Sequence, residues 1–189
     1  VMQHSFWVEY DNVLIRQIRE ADIEQMRLWR NSTNISKYLR PIGEITQEMQ
    51  LEWFHQYLMD ENNLTFAIEE TERLHRMVGT VSLYDFHGSE SNCGKTVIGD
   101  PEAAGNNLGF RGEVLALHIG FQKLGIQYYI TEVDQENIKS QKMTAMLGFK
   151  KVGYRPLNYR NGYEDQFKMT YKEFYEAHPY LKELEVMGE

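Results

Sequence analysis

Between Gly99 and Leu117 the chain reads GDPEAAGNNLGFRGEVLAL, a loop rich in glycine and asparagine that runs into a segment of helical apolar spacing. Gly105, Asn106, Asn107 and Gly109 fall within five positions at the expected helix start, whereas a turn needs only one or two glycines for its dihedrals. A loop of this kind turns several backbone N–H groups outward, and the helix N-terminus behind it adds a partial positive charge, so that together they suit a pyrophosphate. It differs from two better-defined phosphate loops, because no Gly-Lys-Ser/Thr follows the glycines and G-x-G-x-x-G does not occur. Taken alone, the stretch reads equally as a structural turn and as a phosphate cradle.

Other reactive side chains are sparse. The single Cys93 has no partner for a disulfide or a zinc site and reads as a buried, inert thiol. The six histidines show no H-E-x-x-H or comparable ligand spacing, so no metal site is expected. Asp85, His87 and Glu90 cluster after an apolar strand, where either an acceptor site or a solvated turn explains them. The net charge of -8 opposes nucleic-acid binding, since no concentrated Lys/Arg face stands out.

The elements that must position these groups follow from periodicity. NVLIRQI (12–18) reads as a strand and READIEQMRLWRN (19–31) as a helix. NSTNISKYL (31–39) is a short second helix, and ITQEMQLEWFHQYLMD (45–60) a third with Thr46 in the N-cap place. NLTFAIEE (63–70), HRMVGTVSLYDF (75–86) and GKTVIG (94–99) read as three antiparallel strands. A helix from Leu108 to Lys123, the strand IQYYITEV (126–133) and the helix NIKSQKMTAML (137–147), closed by Gly148, come next. FKKVGYRPLNYR (149–160) and YEDQFKMTY (163–171) flank the hairpin signal Asn161-Gly162, and a helix ending near HPYLKELEV completes the chain. With 42% apolar residues and no low-complexity linker, residues 1–189 are expected to form a single domain.

In this order and spacing, VGTVSLYDF, IGDPEAAGNNLG, FQKLGI, ENIKSQKMTAMLGFKKVG and NYRNGYEDQFKM resemble the Gcn5-related N-acetyltransferase (GNAT) superfamily over most of the chain. The likeness is strongest to the branch of ribosomal-protein and aminosugar acetyltransferases. The resemblance implies an α/β (α+β) fold: a mixed, mostly antiparallel twisted sheet flanked by helices, with a splayed strand pair for acyl-CoA. It implies acetyl-CoA as co-substrate and direct attack of a primary amine on the thioester. The coenzyme residues it implies are Ile98 and Gly99 at a strand edge, Ala104, Gly105, Asn106, Asn107, Leu108 and Gly109 around the pyrophosphate, and Asn137 at the pantetheine arm. Ser140, in the family's N-x-x-S place, is the implied helper of the departing thiolate. Two departures stand out. Ala104-Gly105-Asn106-Asn107 replaces the family's Arg-Gly-x-Gly, where asparagine tolerates positive φ better than other non-glycine residues, and Thr144 stands where many relatives carry a tyrosine.

The acceptor is read from LWRNSTNISKYL (28–39) and ITQEMQLEWF (45–54), which look like the acceptor-side helices of enzymes that acetylate an aminosugar on a nucleotide. Arg30, Asn31 and Asp85 are the candidate substrate-binding residues, with Arg30, Lys37 and Arg40 a candidate basic patch, while Trp29 and Trp53 read as core aromatics. A polyamine or a protein N-terminus is the alternative acceptor, and a degenerate CoA-binding sensor or scaffold the non-enzymatic alternative. The expected partner is thus a small-molecule amine or a peptide N-terminus, with a homodimer left open. No apolar run reaches the roughly 18 to 20 residues of a membrane span, so no membrane partner and a cytoplasmic location are expected.

Overall fold

Val13 and Ile15 alternate with more exposed neighbours, which makes their segment a strand with one buried face. The computed structural model describes residues 4–36 and 43–189. Its elements are β1 (Trp7–Tyr10), β2 (Val13–Gln17), α1 (Ile23–Asn31), α2 (Thr33–Ser36), α3 (Gln47–Met59), β3 (Asn63–Glu70), β4 (Arg76–His87), β5 (Glu90–Ile98), α4 (Leu108–Lys123), β6 (Tyr128–Asp134), α5 (Ile138–Leu147), β7 (Lys150–Pro156), β8 (Tyr163–Thr170) and α6 (Tyr171–Ala177). The strands form one sheet in the order β1-β2-β3-β4-β5-β6-β8-β7, antiparallel throughout except between β5 and β6. This is the mixed, mostly antiparallel sheet the sequence implies.

Helices cover both faces. Leu64, Phe66 and Ile68 of β3 join the core cluster beneath α4, while Ala67 packs with Ile18, Ile23, Phe54 and Tyr57 under α1 and α3. A strand covered on both sides reads as a continuous apolar run rather than an alternation, which is why NLTFAIEE is so uniformly buried. Thr46 caps α3 by accepting from the Met49 N–H, as its position suggests. The chain end returns to β1, where Trp7 and Met187 exchange backbone hydrogen bonds.

Two strands differ from the sequence reading. β1 was not expected: of its four residues only Val8 is buried, too weak a pattern to register, and it pairs with β2 across a turn in which Asp11 adopts φ 58°. β5 begins at Glu90 rather than Gly94, because Ser91, Asn92 and Cys93 are already buried strand residues. Gly94 marks a bulge inside the strand, where its φ of 126° is readily adopted by glycine. Of the second expected helix, Thr33–Ser36 is helical; its remainder, with Lys37 and Arg40, lies outside the described residues.

α4 is buried on nearly all sides and approaches the sheet closely at Gly120, where an added Cβ would lie 1.8 Å from the Tyr129 hydroxyl. That hydroxyl, fully buried, donates to the Leu117 carbonyl at 2.9 Å and ties α4 to β6. Gly120→Ala should therefore cost about 2–3 kcal/mol, an overpacking penalty in a site that cannot yield. Tyr129→Phe in the same chain should recover part of the loss, because it removes the clashing atom. Urea unfolding of both single variants and the double variant measures the coupling; strictly additive losses would contradict the contact.

Candidate functional site

The parallel ladder between β5 and β6 is three residues long: Glu90 opposite Tyr128, Ser91 opposite Tyr129, Asn92 opposite Ile130. Beyond it the two strands are unpaired with each other among the described residues, although β5 stays on β4 as far as Gly79–Ile98 and β6 stays on β8 as far as Asp134–Glu164. The result is a V whose closed end lies at Asn92 and Ile130 and whose mouth lies at the carboxyl ends of two parallel strands, the place where ligand crevices open in such sheets. Gly99 gives its N–H to the Val78 carbonyl at 2.9 Å. By the alternation of a strand, Ile98 therefore turns its backbone groups into the opening.

At the mouth of the V the chain makes the loop to α4. Asp100 accepts from the Glu102 N–H and from Arg76 Nε at 2.7 Å, and Arg76 holds its carboxyl below the usual carboxylate range. Gly105 has φ 84° in open space, and Asn107 takes φ 55° as the N-cap of α4 without a side-chain cap. The asparagine thus adopts the left-handed conformation that a glycine would otherwise supply. The N–H groups of Leu108, Gly109 and Phe110 have no acceptor within the helix. Gly109 lets α4 lie against Ile98, its Cβ position being 3.3 Å from Ile98 Cγ1. Gly99 is required by Trp29, whose ring would sit 2.1 Å from an added Cβ; at 8% exposure Trp29 is a core residue, as expected.

Past the closed end, on the face that carries α1 and α3, lies a group the sequence did not single out. Glu132 of β6 accepts from Asn92 Nδ2 at 3.2 Å and has Arg155 3.7 Å away. It stands two residues past the last paired residue, Ile130, and so on the same face of β6. Tyr84, opposite Asn92, has its hydroxyl pushed well up by burial and carries the Lys95 ammonium 4.0 Å above its ring. The only sequence signal for Glu132 was an acidic residue in an otherwise apolar strand. Asp85 and His87 are exposed near the β4–β5 turn, away from the mouth of the V. Asn31 commits its amide to the Ile45 backbone in both directions at 2.8 Å, which fixes the start of the segment leading into α3. Arg30 is partly buried in the last turn of α1.

Since β6 and β7 both run antiparallel to β8, α5 must cross back against the direction of β6. Asn137 caps it by accepting from the Ser140 N–H at 3.1 Å. Ser140, partly buried, therefore stands near the mouth, and Thr144, at 7% exposure, one turn further back. The tip of β6 is held by the β7–β8 turn: Arg160 pairs with Asp134 and, at 3.1 Å, with Glu136. The Glu136 N–H and Arg160 together keep Asp134 below the usual carboxylate range. Burial pushes the Cys93 thiol up, as expected of an inert cysteine. Among the described residues no His/Cys/Asp/Glu group could hold a metal ion, and no helix is long and apolar enough to cross a membrane.

Comparison with known proteins bears on this geometry. A family model described as an acetyltransferase (GNAT) domain matches residues 12–150. Alpha/beta-tubulin-N-acetyltransferase 9 of Mus musculus is 25% identical over 135 residues, which make up 66% of this chain and 56% of that protein. The N-acetyltransferase 9-like protein of Nematostella vectensis is 22% identical over 158 residues, 75% of this chain and 76% of that one. Among solved structures, apo FdhC, a nucleotide-linked sugar GNAT, superposes with a TM-score of 0.77 at 21% identity, covering 96% of this chain and 99% of its own. Spermidine N-acetyltransferase from Vibrio cholerae, in complex with CoA and spermine, does so with 0.72 at 18% identity, covering 86% and 98%. The structural likenesses concern the fold, whereas the domain match spans the V, its loop and α5, and by that match this chain belongs to the GNAT acetyltransferase family.

Proposed function

We propose that the protein transfers the acetyl group of acetyl-CoA to a primary amine, a reading carried by the V between β5 and β6 with an open helix N-terminus at its mouth. The pyrophosphate lies over Ala104–Gly109, the pantetheine arm runs past the Ile98 edge with Asn137 beside it, and the thioester reaches the closed end. There the amine nitrogen attacks the carbonyl carbon, the C–S bond breaks, and the coenzyme leaves as a thiolate. The proton lost by the ammonium goes to Glu132, and the Ser140 hydroxyl assists protonation of the thiolate. A free thiol titrates near about 8.5, so the leaving group needs only modest help. Most of the chemistry is the positioning of two substrates.

The acceptor we favour is an aminosugar carried on a nucleotide. Arg155 lies against Glu132 and Glu164, and Arg160 against Asp134 and Glu136. Two arginines against four carboxylates leave this face net negative, which does not by itself turn a polyamine away; the FdhC likeness is what supports the aminosugar. A thiol-release assay with acetyl-CoA against aminosugar nucleotides, polyamines and peptides with free N-termini decides the matter. Release with a polyamine or a peptide alone would overturn the acceptor assignment. Coenzyme binding without release on any acceptor would leave a sensor or scaffold domain.

Four substitutions test the assignments. Gly105→Val places a β-branched residue at φ 84° and should weaken calorimetric acetyl-CoA binding about tenfold or more; equal binding would put the phosphates elsewhere. Glu132→Gln should lower kcat by about 10² or more with little change in the KM for acetyl-CoA, the signature of a lost proton acceptor. Ser140→Ala should lower turnover by about 10² with coenzyme affinity retained, and Thr144→Ala by less than about tenfold. If Thr144→Ala proves the more damaging, the acid lies one helical turn closer to the closed end.

A further inference from the structure

Glu113 is an anomaly in α4. It is 4% exposed, and its successors Val114, Leu115, Ala116 and Leu117 belong to the core cluster. An apolar side chain of similar volume would avoid the cost of desolvating a carboxyl. Its oxygens meet β5 at one place only. Thr96 Oγ1 donates to Glu113 Oε2 at 3.2 Å, the Cys93 thiol is bonded to the same carboxyl, and the Cβ position of Gly94 is 3.9 Å from Oε1.

That place is the bulge. Ser82 opposes Gly94 and Thr80 opposes Val97, so Lys95 and Thr96 together face the single residue Val81. Gly94 and Lys95 take φ 126° and 51°. A lysine in the left-handed region is strained, and such strain persists only where the surroundings over-determine it. Two anchors flank it here, Glu113 on the α4 face and the Tyr84 ring beneath the Lys95 ammonium on the other. A bulge bends its strand and increases its twist, and this one begins two residues after Asn92, where β5 parts from β6.

We infer that Glu113 is a positioning residue whose carboxyl holds the β5 bulge and thereby the course of β5 away from β6. As a statement about coenzyme affinity this rests on the proposed acetyl-CoA reaction; as a statement about β5 it does not. Burial pushes the Glu113 carboxyl up to about 7, opposed by its hydrogen bonds with Thr96 and Cys93. The titratable group that touches it is the Cys93 thiol on β5; Tyr84 on β4 feels its charge from the other face, and Glu132 of β6 acts on both Cys93 and Tyr84. Its folded pKa lies above the unfolded value of 4.5. The folded state thus binds the extra proton, and stability declines as pH rises from about 4.5 to about 7 and is level above that.

The test compares Glu113→Leu, Glu113→Gln and the double variant Glu113→Leu/Lys95→Gly. Glu113→Leu should be at least as stable as the wild type at pH 8 and should lose the decline between about pH 4.5 and 7. Amide exchange at Lys95, Thr96 and Val97 should nonetheless accelerate about tenfold, and acetyl-CoA should bind about tenfold more weakly with kcat nearly unchanged. Glu113→Gln, which can still accept from Thr96, should bind within about twofold of wild type. Glycine at position 95 takes the left-handed conformation without strain, so the double variant should recover most of the affinity. Wild-type amide exchange and wild-type affinity in Glu113→Leu would overturn the inference. If the wild type fails to bind acetyl-CoA, the proposed reaction falls, and unchanged amide exchange in Glu113→Leu then overturns the bulge assignment by itself.

Discussion

A β-sheet that comes apart in its interior leaves two rows of backbone N–H and C=O groups without their usual partners, and every buried group of that kind must be satisfied by something. In this protein the break falls between β5 and β6 after three paired residues. Whatever enters the gap has to behave as a strand does, offering amides to an edge. The pantetheine arm of a coenzyme carries two amides on an extended chain, which makes an opened sheet a sufficient binding device without a dedicated set of side chains. In the proposed reaction the glycine loop and the helix N-terminus take the charged end, and the closed end takes the reacting one.

Such a gap survives only if the rest of the sheet cannot relax into it. At the closed end, Tyr129 is locked to α4 through Leu117, with Gly120 leaving room for its ring. On the β5 side, β4 retains the strand to its last residue across a bulge; on the β6 side, β8 does so without interruption. Closing the V would mean breaking one of these antiparallel ladders, each longer than the parallel ladder it would extend. The molecule therefore has a rigid hinge region and two arms fixed from outside, which fits the pre-organisation that reactions governed by substrate positioning need.

How far this could be read from the sequence depended on how local the cause was. Helix ends were legible because single residues make them: Thr46, Asn137 and Gly148 all sit where a cap is chemically required. The loop was legible because Gly105 and Asn107 carry their conformational preference with them. β1 was missed because its own pattern is weak and its identity comes from pairing with β2 and with the chain end near Met187, which lies far away in the sequence. Gly94 was taken for a strand start because a glycine marks a boundary and a bulge alike, and only the cross-strand register tells them apart. Glu132 was passed over for a similar reason: nothing near it in the chain states that β5 ends its pairing two residues earlier, and that fact alone gives the carboxylate its position.

The two arms of the V share one more feature. At the tip of β5, Asp100 is drawn outward by Arg76 of β4; at the tip of β6, Asp134 is drawn outward by Arg160 of the β7–β8 turn. Arg76 is half-exposed and Arg160 about one-third exposed, so screening by solvent leaves each pair little to add to global stability. Their effect is directional: an ion pair on the outer side of each tip opposes the inward drift that would let backbone groups of the two arms find each other. Both arginines are already matched to carboxylates. Arg76 also pairs with Glu102 and Arg160 with Glu136, so each tip sets two carboxylates against one of these arginines on a chain whose net charge is -8, and attraction for an anion at the mouth is left to the N–H groups at the start of α4.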